Sequence, residues 1–471
     1  MLKNVSLSVS SRMVSLAANF VFIAVTARLY PKEHIAVLAV AGILTALMDV
    51  SKGLGLGTLL LKRLPKLGPA GEGEGASLIL SYLFYSILPP LALAALGAAS
   101  GHALSMYFFG KGDYRLEMQY GAIVGLFTVL ANTNILVFQA RQEFGLLATF
   151  TMATSVLQRL APCLIAVLGK MDLGGFLFWS AALSGLAFLL TCLPLRHHLS
   201  VPGCRLLRAP DFWQESRHFY YTGLLRYGAT QIDQLFVAAM FPPSTLAVYY
   251  LLRRLYSIAV VIIGCMIDAL VPDLSQQAGL DRGAARSRME DWLRLSLYTG
   301  TVGAALLAAN GSRVIGLVLG ASYAEDDVLI LLFAVSAVSY VSFGFAQIDL
   351  VLFHEPRLSF ALAAVTASVN TISGPLLACV LHVRGLPLAM ALSYMAGLAA
   401  SRHRSDSPAW GPGSLGFAAA LITLAGLLAT AVPLPNSSEW MRMIAVNAGI
   451  AAIAGWQYRR WQVGACLRRL T

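Results

Sequence analysis

The chain has 471 residues, of which 58% are hydrophobic and 12% charged, with a formal net charge of +11 and a mean hydropathy of +0.71. A soluble domain carries about twice that charged fraction, and no long polar block is present to fold as a separate soluble domain. The apolar residues come in runs of roughly 20, the length a helix needs to cross about 30 Å of hydrocarbon; they lack the alternation of a spanning β-barrel.

In chain order the runs predict helices over 8–30, 35–61, 76–98, 118–140, 146–169, 174–195, 218–241, 245–272, 292–319, 327–350, 358–381, 386–401, 414–433 and 441–457. The expected fold class is therefore an all-α polytopic membrane protein of about 14 transmembrane helices. The first run contains Arg12 and no small-x-small cleavage site follows it, so it reads as a retained helix and not a secretory signal. The six cysteines, at 163, 192, 204, 265, 379 and 466, form no CxxC, and no two share an extramembrane loop. They read as small core residues, with neither a disulfide framework nor a metal site.

Basic residues are unevenly spread. With the N-terminus in the cytoplasm, about 20 fall on inner segments, Lys62, Arg63, Arg141, Arg205 and Arg282 among them, against about 8 on outer ones. This bias predicts that both termini are cytoplasmic. It also assigns the basic excess to anionic lipid and leaves no need for nucleic acid. The longest inner connection, 196–217, holds Pro202, Gly203 and Pro210 and separates the first six helices from the rest. The predicted division is a six-helix lobe over 1–195, a basic linker over 196–217, a second six-helix lobe over 218–401, and two further helices with a basic tail over 402–471. Arg12-x6-Asn19 in the first helix and Arg226-x6-Asp233 in the seventh, each followed by a proline turn, read as a parallel repeat.

Charges inside spanning helices are costly and face a cavity or a partner. Those expected here are Arg12, Asp49, Lys52, Arg159, Arg226, Asp233, Arg253, Arg254 and Asp268. Asp49 and Lys52 are spaced to share a helix face and to neutralise one another. Buried ion pairs account for some of these residues, but bases outnumber acids, and the surplus calls for an anion. Guanidinium groups bind phosphate oxygens bidentately, so Arg12, Lys52, Arg159, Arg226, Arg253 and Arg254 are the candidate substrate-binding residues for a phosphate-bearing substrate. Asp233, with Asp49 second, is the candidate for a proton or sodium coupling site; a plain salt bridge from Asp233 to Arg226 is the competing reading. Gly53-x-Gly55-x-Gly57 lies inside a predicted helix and reads as helix packing, not a nucleotide loop.

Several stretches resemble the polysaccharide (O-antigen or exopolysaccharide) flippases of the multidrug/oligosaccharidyl-lipid/polysaccharide exporter superfamily. They are Arg12 through Asn19 to Thr26-Ala27-Arg28-Leu29; Gln231-Ile232-Asp233, Tyr249-Tyr250 and Pro272-Asp273-Leu274-Ser275; Gly320-Ala321-Ser322-Tyr323-Ala324; and Asn370 with Gly385-x-x-x-Ala389. Two positions depart from that family's pattern: Asp326 or Asp327 stands where an alanine is usual, and Leu388 where a glycine is usual. The resemblance implies two six-helix lobes in pseudo-two-fold relation around a central cationic cavity, two extra C-terminal helices, and alternating access. It implies a lipid-linked oligosaccharide as substrate, turned from the cytoplasmic to the periplasmic leaflet of the inner membrane. Membrane lipids, a polymerase and other polysaccharide-assembly proteins are the implied partners. No cofactor is expected beyond a proton or sodium gradient. Two readings compete: a cation-coupled drug or metabolite antiporter of the same superfamily, for which an acidic cavity would be expected, and a membrane polymerase or ligase, which needs a substantial outer loop.

Overall fold

Every regular element among the described residues is a helix. The structure, a computed structural model, describes residues 2–64, 72–200, 204–257, 260–261, 274, 281–324, 326–353 and 356–402, together with 447, 450, 451 and 455. The expected helices 414–433 and 441–457 fall almost wholly outside these residues. So do the end of the expected helix 245–272, with Asp268, Pro272, Asp273 and Ser275, and the cysteines at 265 and 466. The helices are α1 (Leu2–Leu29), α2 (Lys32–Ser51), α3 (Leu56–Arg63), α4 (Glu72–Ala99), α5 (Gly101–Phe109), α6 (Arg115–Ala140), α7 (Phe144–Ser155), α8 (Ala161–Gly169) and α9 (Leu173–Leu199). They continue with α10 (Ala209–Thr230), α11 (Ile232–Met240) and α12 (243–257), then α13 (Arg282–Val318), α14 (Asp327–Phe353), α15 (Pro356–Leu381) and α16 (Gly385–Arg402).

Nine stretches of the described residues are long and apolar enough to cross a bilayer, the last of them, Leu358–Ser401, containing the α15–α16 hairpin. α10 is not among them because its first half, around Asp211, Glu215, Arg217 and His218, is polar, and α11 has only nine residues.

Three expected helices are interrupted. The helix expected over 35–61 breaks into α2 and α3 at the 3-10 turn Lys52–Gly55, where Gly55 takes φ +81°. A side chain is strained there, and a Cβ would also strike the Tyr220 backbone nitrogen at 2.7 Å. The Gly53–Gly57 run is thus a helix break as well as a packing surface. The stretch expected as one helix over 146–169 carries a π turn at Val156–Leu160 between α7 and α8. The helix expected over 218–241 is broken at Gln231 between α10 and α11, so a spacing of seven from Arg226 to Asp233 no longer implies a shared face. α5 was not anticipated, and the 196–217 connection is shorter than expected. α9 continues through Pro194 to Leu199, and α10 begins at Ala209 with Pro210 in its first turn, where the missing N–H costs nothing.

The helices form two compact units. One holds residues up to Tyr227 with Val237–Tyr250; the other holds Gly228–Phe236 with the described residues from Leu251 onward. In the first, α6 packs against α2, α4 and α9. Gly121 and Gly125, one turn apart on α6, let α2 approach closely: a Cβ at Gly121 would lie 2.7 Å from the Ala41 Cβ, closer than carbon atoms pack. Met48, Ala94, Ala122 and Val129 fill the space around this crossing. At one end, Asp172 caps α9 by accepting from the Gly175 N–H at 2.9 Å. There the Tyr30 hydroxyl donates to the Met171 carbonyl at 3.3 Å, and burial pushes that phenol up to about 12.

The connection before α10 docks along α4. Arg205 N–H donates to Ser77 Oγ at 3.0 Å, Leu207 N–H to Ser81 Oγ at 2.8 Å, and the Tyr85 hydroxyl donates to the Leu207 carbonyl at 3.2 Å. Ser77, Ser81 and Tyr85 are four residues apart and share one helix face. Phe212 is buried beside Tyr85, with ring centroids 5.1 Å apart.

In the second unit α16 packs against α14 and α15, and α13 against α14. Their core includes Met289, Leu293, Val341, Phe345 and Leu398. α13 is 37 residues long and begins at Asp281, whose carboxylate accepts from the Gly283 and Ala284 N–H groups. Asp326 accepts from the Leu329 N–H at 3.0 Å in the first turn of α14, and Arg384 Nε donates to both its carboxylate oxygens at 3.0 and 3.1 Å.

Candidate functional site

Breaking a helix inside an apolar layer exposes backbone carbonyls that lipid cannot satisfy. The α10–α11 break does this within the second unit, and side chains from three other helices gather around it. Asn370 of α15 donates its amide to the Ala229 carbonyl at 3.1 Å and to the Gly228 carbonyl at 3.3 Å. Arg253 of α12 donates through Nη2 to the Thr230 carbonyl. Its Nε donates to Asp233 Oδ2 at 2.9 Å, with the two side chains only 6% and 1% exposed. The guanidinium lies 4.5 Å from the centroid of the Tyr256 ring, and the Tyr256 hydroxyl reaches the Tyr394 hydroxyl of α16 at 3.5 Å.

This arrangement offsets part of the cost of holding two charges in an apolar interior. A buried pair survives desolvation only when its remaining donors and acceptors are also satisfied. Arg253 directs Nε to a carboxylate and Nη2 to a carbonyl, and its guanidinium lies over an aromatic face. Asp233, expected beside Arg226, instead pairs with Arg253. The consecutive arginines are treated differently: Arg253 is buried and Arg254 half-buried.

The first unit holds the other candidates. Arg159 sits in the π turn, a distortion frequent at functional sites. Its Nη1 donates to the Ser15 carbonyl at 3.0 Å and contacts the Ser15 hydroxyl at 3.2 Å, tying the turn to α1. Lys52 Nζ lies 2.5 Å from Asp49 Oδ1 at the α2–α3 break, with Asp49 half exposed. Arg12 is half-buried on α1 and Arg226 exposed on α10.

Sequence reasoning missed Tyr256 and Tyr394, which look like ordinary aromatic residues of apolar helices. Tyr256 stands three residues beyond Arg253, the spacing of a shared helix face. Buried Asp349 of α14 was also overlooked, although a carboxylate within the 327–350 run was the signal to find it.

A multi-pass chain whose described elements are all helices, with broken helices and a buried ion pair at the α10–α11 break, has the architecture of a membrane transporter. Residues 1–277 match the model of the polysaccharide biosynthesis protein family. The chain belongs to that family. No curated protein matches it by sequence. Among solved structures it is similar to the lipid II flippase MurJ in an inward closed conformation, at 10% identity and a TM-score of 0.67 over 98% of this chain and 99% of that one. It is similar to a multidrug resistance MATE family transporter of the MOP superfamily, in an inward-facing conformation, at 12% identity and a TM-score of 0.64 over 89% and 98%. A MOP superfamily transporter from Pyrococcus furiosus gives 13% identity and a TM-score of 0.62 over 90% and 94%. At these identities the likeness defines the fold.

Proposed function

We propose that the protein is a flippase that turns a polyprenyl-pyrophosphate-linked oligosaccharide from the cytoplasmic to the periplasmic leaflet, by alternating access, for cell-surface polysaccharide assembly. The observation that carries this reading is membership of the polysaccharide biosynthesis family on a fold shared with a lipid II flippase. The basic side chains support it, because a pyrophosphate needs cationic donors in an apolar layer and guanidinium groups match its oxygens. Arg12, Lys52, Arg159 and Arg226 of the first unit, and Arg253 and Arg254 of the second, are the candidates to hold it. Asp233 and Asp49 are the candidates for coupling to a proton or sodium gradient. Protonating Asp233 would release Arg253 to bind an anion, which joins the two roles at one pair. The protein then sits in the cytoplasmic membrane with both termini inside, among polymerase and assembly partners, and performs no covalent chemistry.

A second reading, a small-molecule antiporter, draws on the same fold in MATE transporters. Transbilayer movement of a polyprenyl-pyrophosphate oligosaccharide in proteoliposomes separates the two. Movement that Arg226→Ala abolishes in a folded protein supports the flippase. If Asp233→Asn alone removes dependence on a pH or sodium gradient, that residue is the coupling site. No movement by the folded wild type under any gradient favours the antiporter.

A further inference from the structure

Tyr256 is 5% exposed, and two other helices fix the place of its ring. Phe333 of α14 packs against it with ring centroids 5.7 Å apart. Its hydroxyl reaches that of Tyr394 on α16 at 3.5 Å, a long contact for two hydroxyls. Tyr394 is itself buried, with the Tyr340 and Phe343 rings of α14 at 5.4 and 5.3 Å. The face of Tyr256 carries the Arg253 guanidinium, whose central carbon is 4.5 Å from the ring centroid. A buried ring packed in this way is a fixed platform, whereas an arginine side chain has many rotamers to lose.

The contacts of Arg253 answer differently to charge. Nε donates to the Asp233 carboxylate and Nη2 to the Thr230 carbonyl, both from the edge of the planar group. The ring meets its face. Hydrogen bonds lie in the guanidinium plane and the aromatic contact lies across it, so one can be exchanged without breaking the other. Neutralising Asp233 weakens the first contact, while the carbonyl and the ring attract a cation as before. A guanidinium stripped of partners in an apolar layer is costly, and the ring spares Arg253 that state.

We infer that Tyr256 is a positioning residue for anion binding. Its ring keeps the Arg253 guanidinium by the face while the edge exchanges the Asp233 carboxylate for an anionic oxygen of the substrate. The inference rests on the flippase reading for the identity of that substrate. Because the hydroxyl contact is long, the aromatic face and not the hydroxyl carries the role.

Two measurements on the full chain test this. In detergent, the unfolding temperatures of Tyr256→Leu, Arg253→Met and the double variant form a cycle. The two losses should be coupled, the coupling should persist when the cycle is repeated with Asp233→Asn, and Tyr256→Phe should lose little. Additive losses, or coupling that disappears with the carboxylate, would overturn the assignment. In proteoliposomes, a polyprenyl-pyrophosphate oligosaccharide should reach half-maximal movement at about tenfold higher concentration in Tyr256→Leu than in the wild type. Tyr256→Phe should restore most of that shift. A packing role alone lowers the unfolding temperature and leaves this concentration unchanged; that result in a folded Tyr256→Leu protein would also overturn the assignment. Should Tyr256→Leu not fold, Tyr256→Met replaces it in both measurements. If the wild type moves no oligosaccharide, the flippase reading fails alone, and the unfolding cycle still decides whether the ring holds the guanidinium.

Discussion

Arg253 of α12 and Asp233 of α11 are 20 residues apart in the chain and meet at 2.9 Å in a site that water hardly reaches. Removing one member of such a pair leaves an uncompensated buried charge, at a cost of about 3–5 kcal/mol. Arg253→Ala and Asp233→Ala are each expected to lower stability by that order. The double substitution should cost less than the sum of the two, since it leaves neither charge alone. Unfolding in detergent, arranged as a double-mutant cycle, measures the coupling; additive losses would show that the pair does not stabilise the fold.

Gly55 is the residue on which the α2–α3 break depends. Gly55→Ala combines a left-handed backbone, worth roughly 1–2 kcal/mol against an L side chain, with a collision against α10 backbone. It should markedly lower the unfolding temperature. Gly145→Ala, on α7 with open space around it, should be neutral or stabilising by up to about 1 kcal/mol. Equal behaviour of the two variants would contradict the geometry.

The connection before α10 is held on α4 by serine hydroxyls. Replacing Ser77 and Ser81 by alanine removes the acceptors of the Arg205 and Leu207 N–H groups, and each unsatisfied donor costs about 1–3 kcal/mol where it stays buried. Trypsin should then cut after Arg205 and Arg208 faster than in the wild type, with the rest of the chain still resistant. An unchanged cleavage rate would mean that the serines do not hold the segment.

Asp326 has two tasks of unequal weight. Its ion pair with Arg384, whose side chain is half exposed, is worth about 0–1 kcal/mol and weakens with salt. Its cap on α14 is worth about 1 kcal/mol and does not depend on that charge pair. Asp326→Ala should therefore destabilise more than Arg384→Ala, and the difference should persist at high salt. Thermal unfolding of both variants at two ionic strengths decides the matter.

Where the sequence was readable, the reason is that a bilayer imposes one rule on every spanning segment. α1, α4, α6, α9, α13, α14, α15 and α16 all fall on predicted apolar runs, because length and hydropathy are summed along the chain and need no partner. The breaks within 35–61 and 218–241 were not readable. A glycine or a polar residue inside an apolar run is compatible with a continuous helix, and only neighbours such as Ser216 and Tyr220 beside Gly55, or Asn370 at Ala229, make the interruption stable.

The candidate site divides in the same way. Composition and spacing alone determined that the chain is a helical membrane protein, and they singled out Asp233 and Arg253 as charges too costly to be idle. The expected surplus of bases within the spans did not extend to the buried charges among the described residues, which are Asp233, Asp291, Asp349 and Arg253. Nor could composition and spacing pair Asp233 with Arg253. The i,i+7 spacing pointed Asp233 to Arg226, and the break at Gln231 cancelled that geometry. Tertiary structure decided that Arg253 satisfies both the carboxylate and the Thr230 carbonyl, and that Tyr256 carries the guanidinium on its face. The physical reason is that hydropathy is a property of each segment against lipid, whereas the partner of a buried charge is set by which helices the packing brings together.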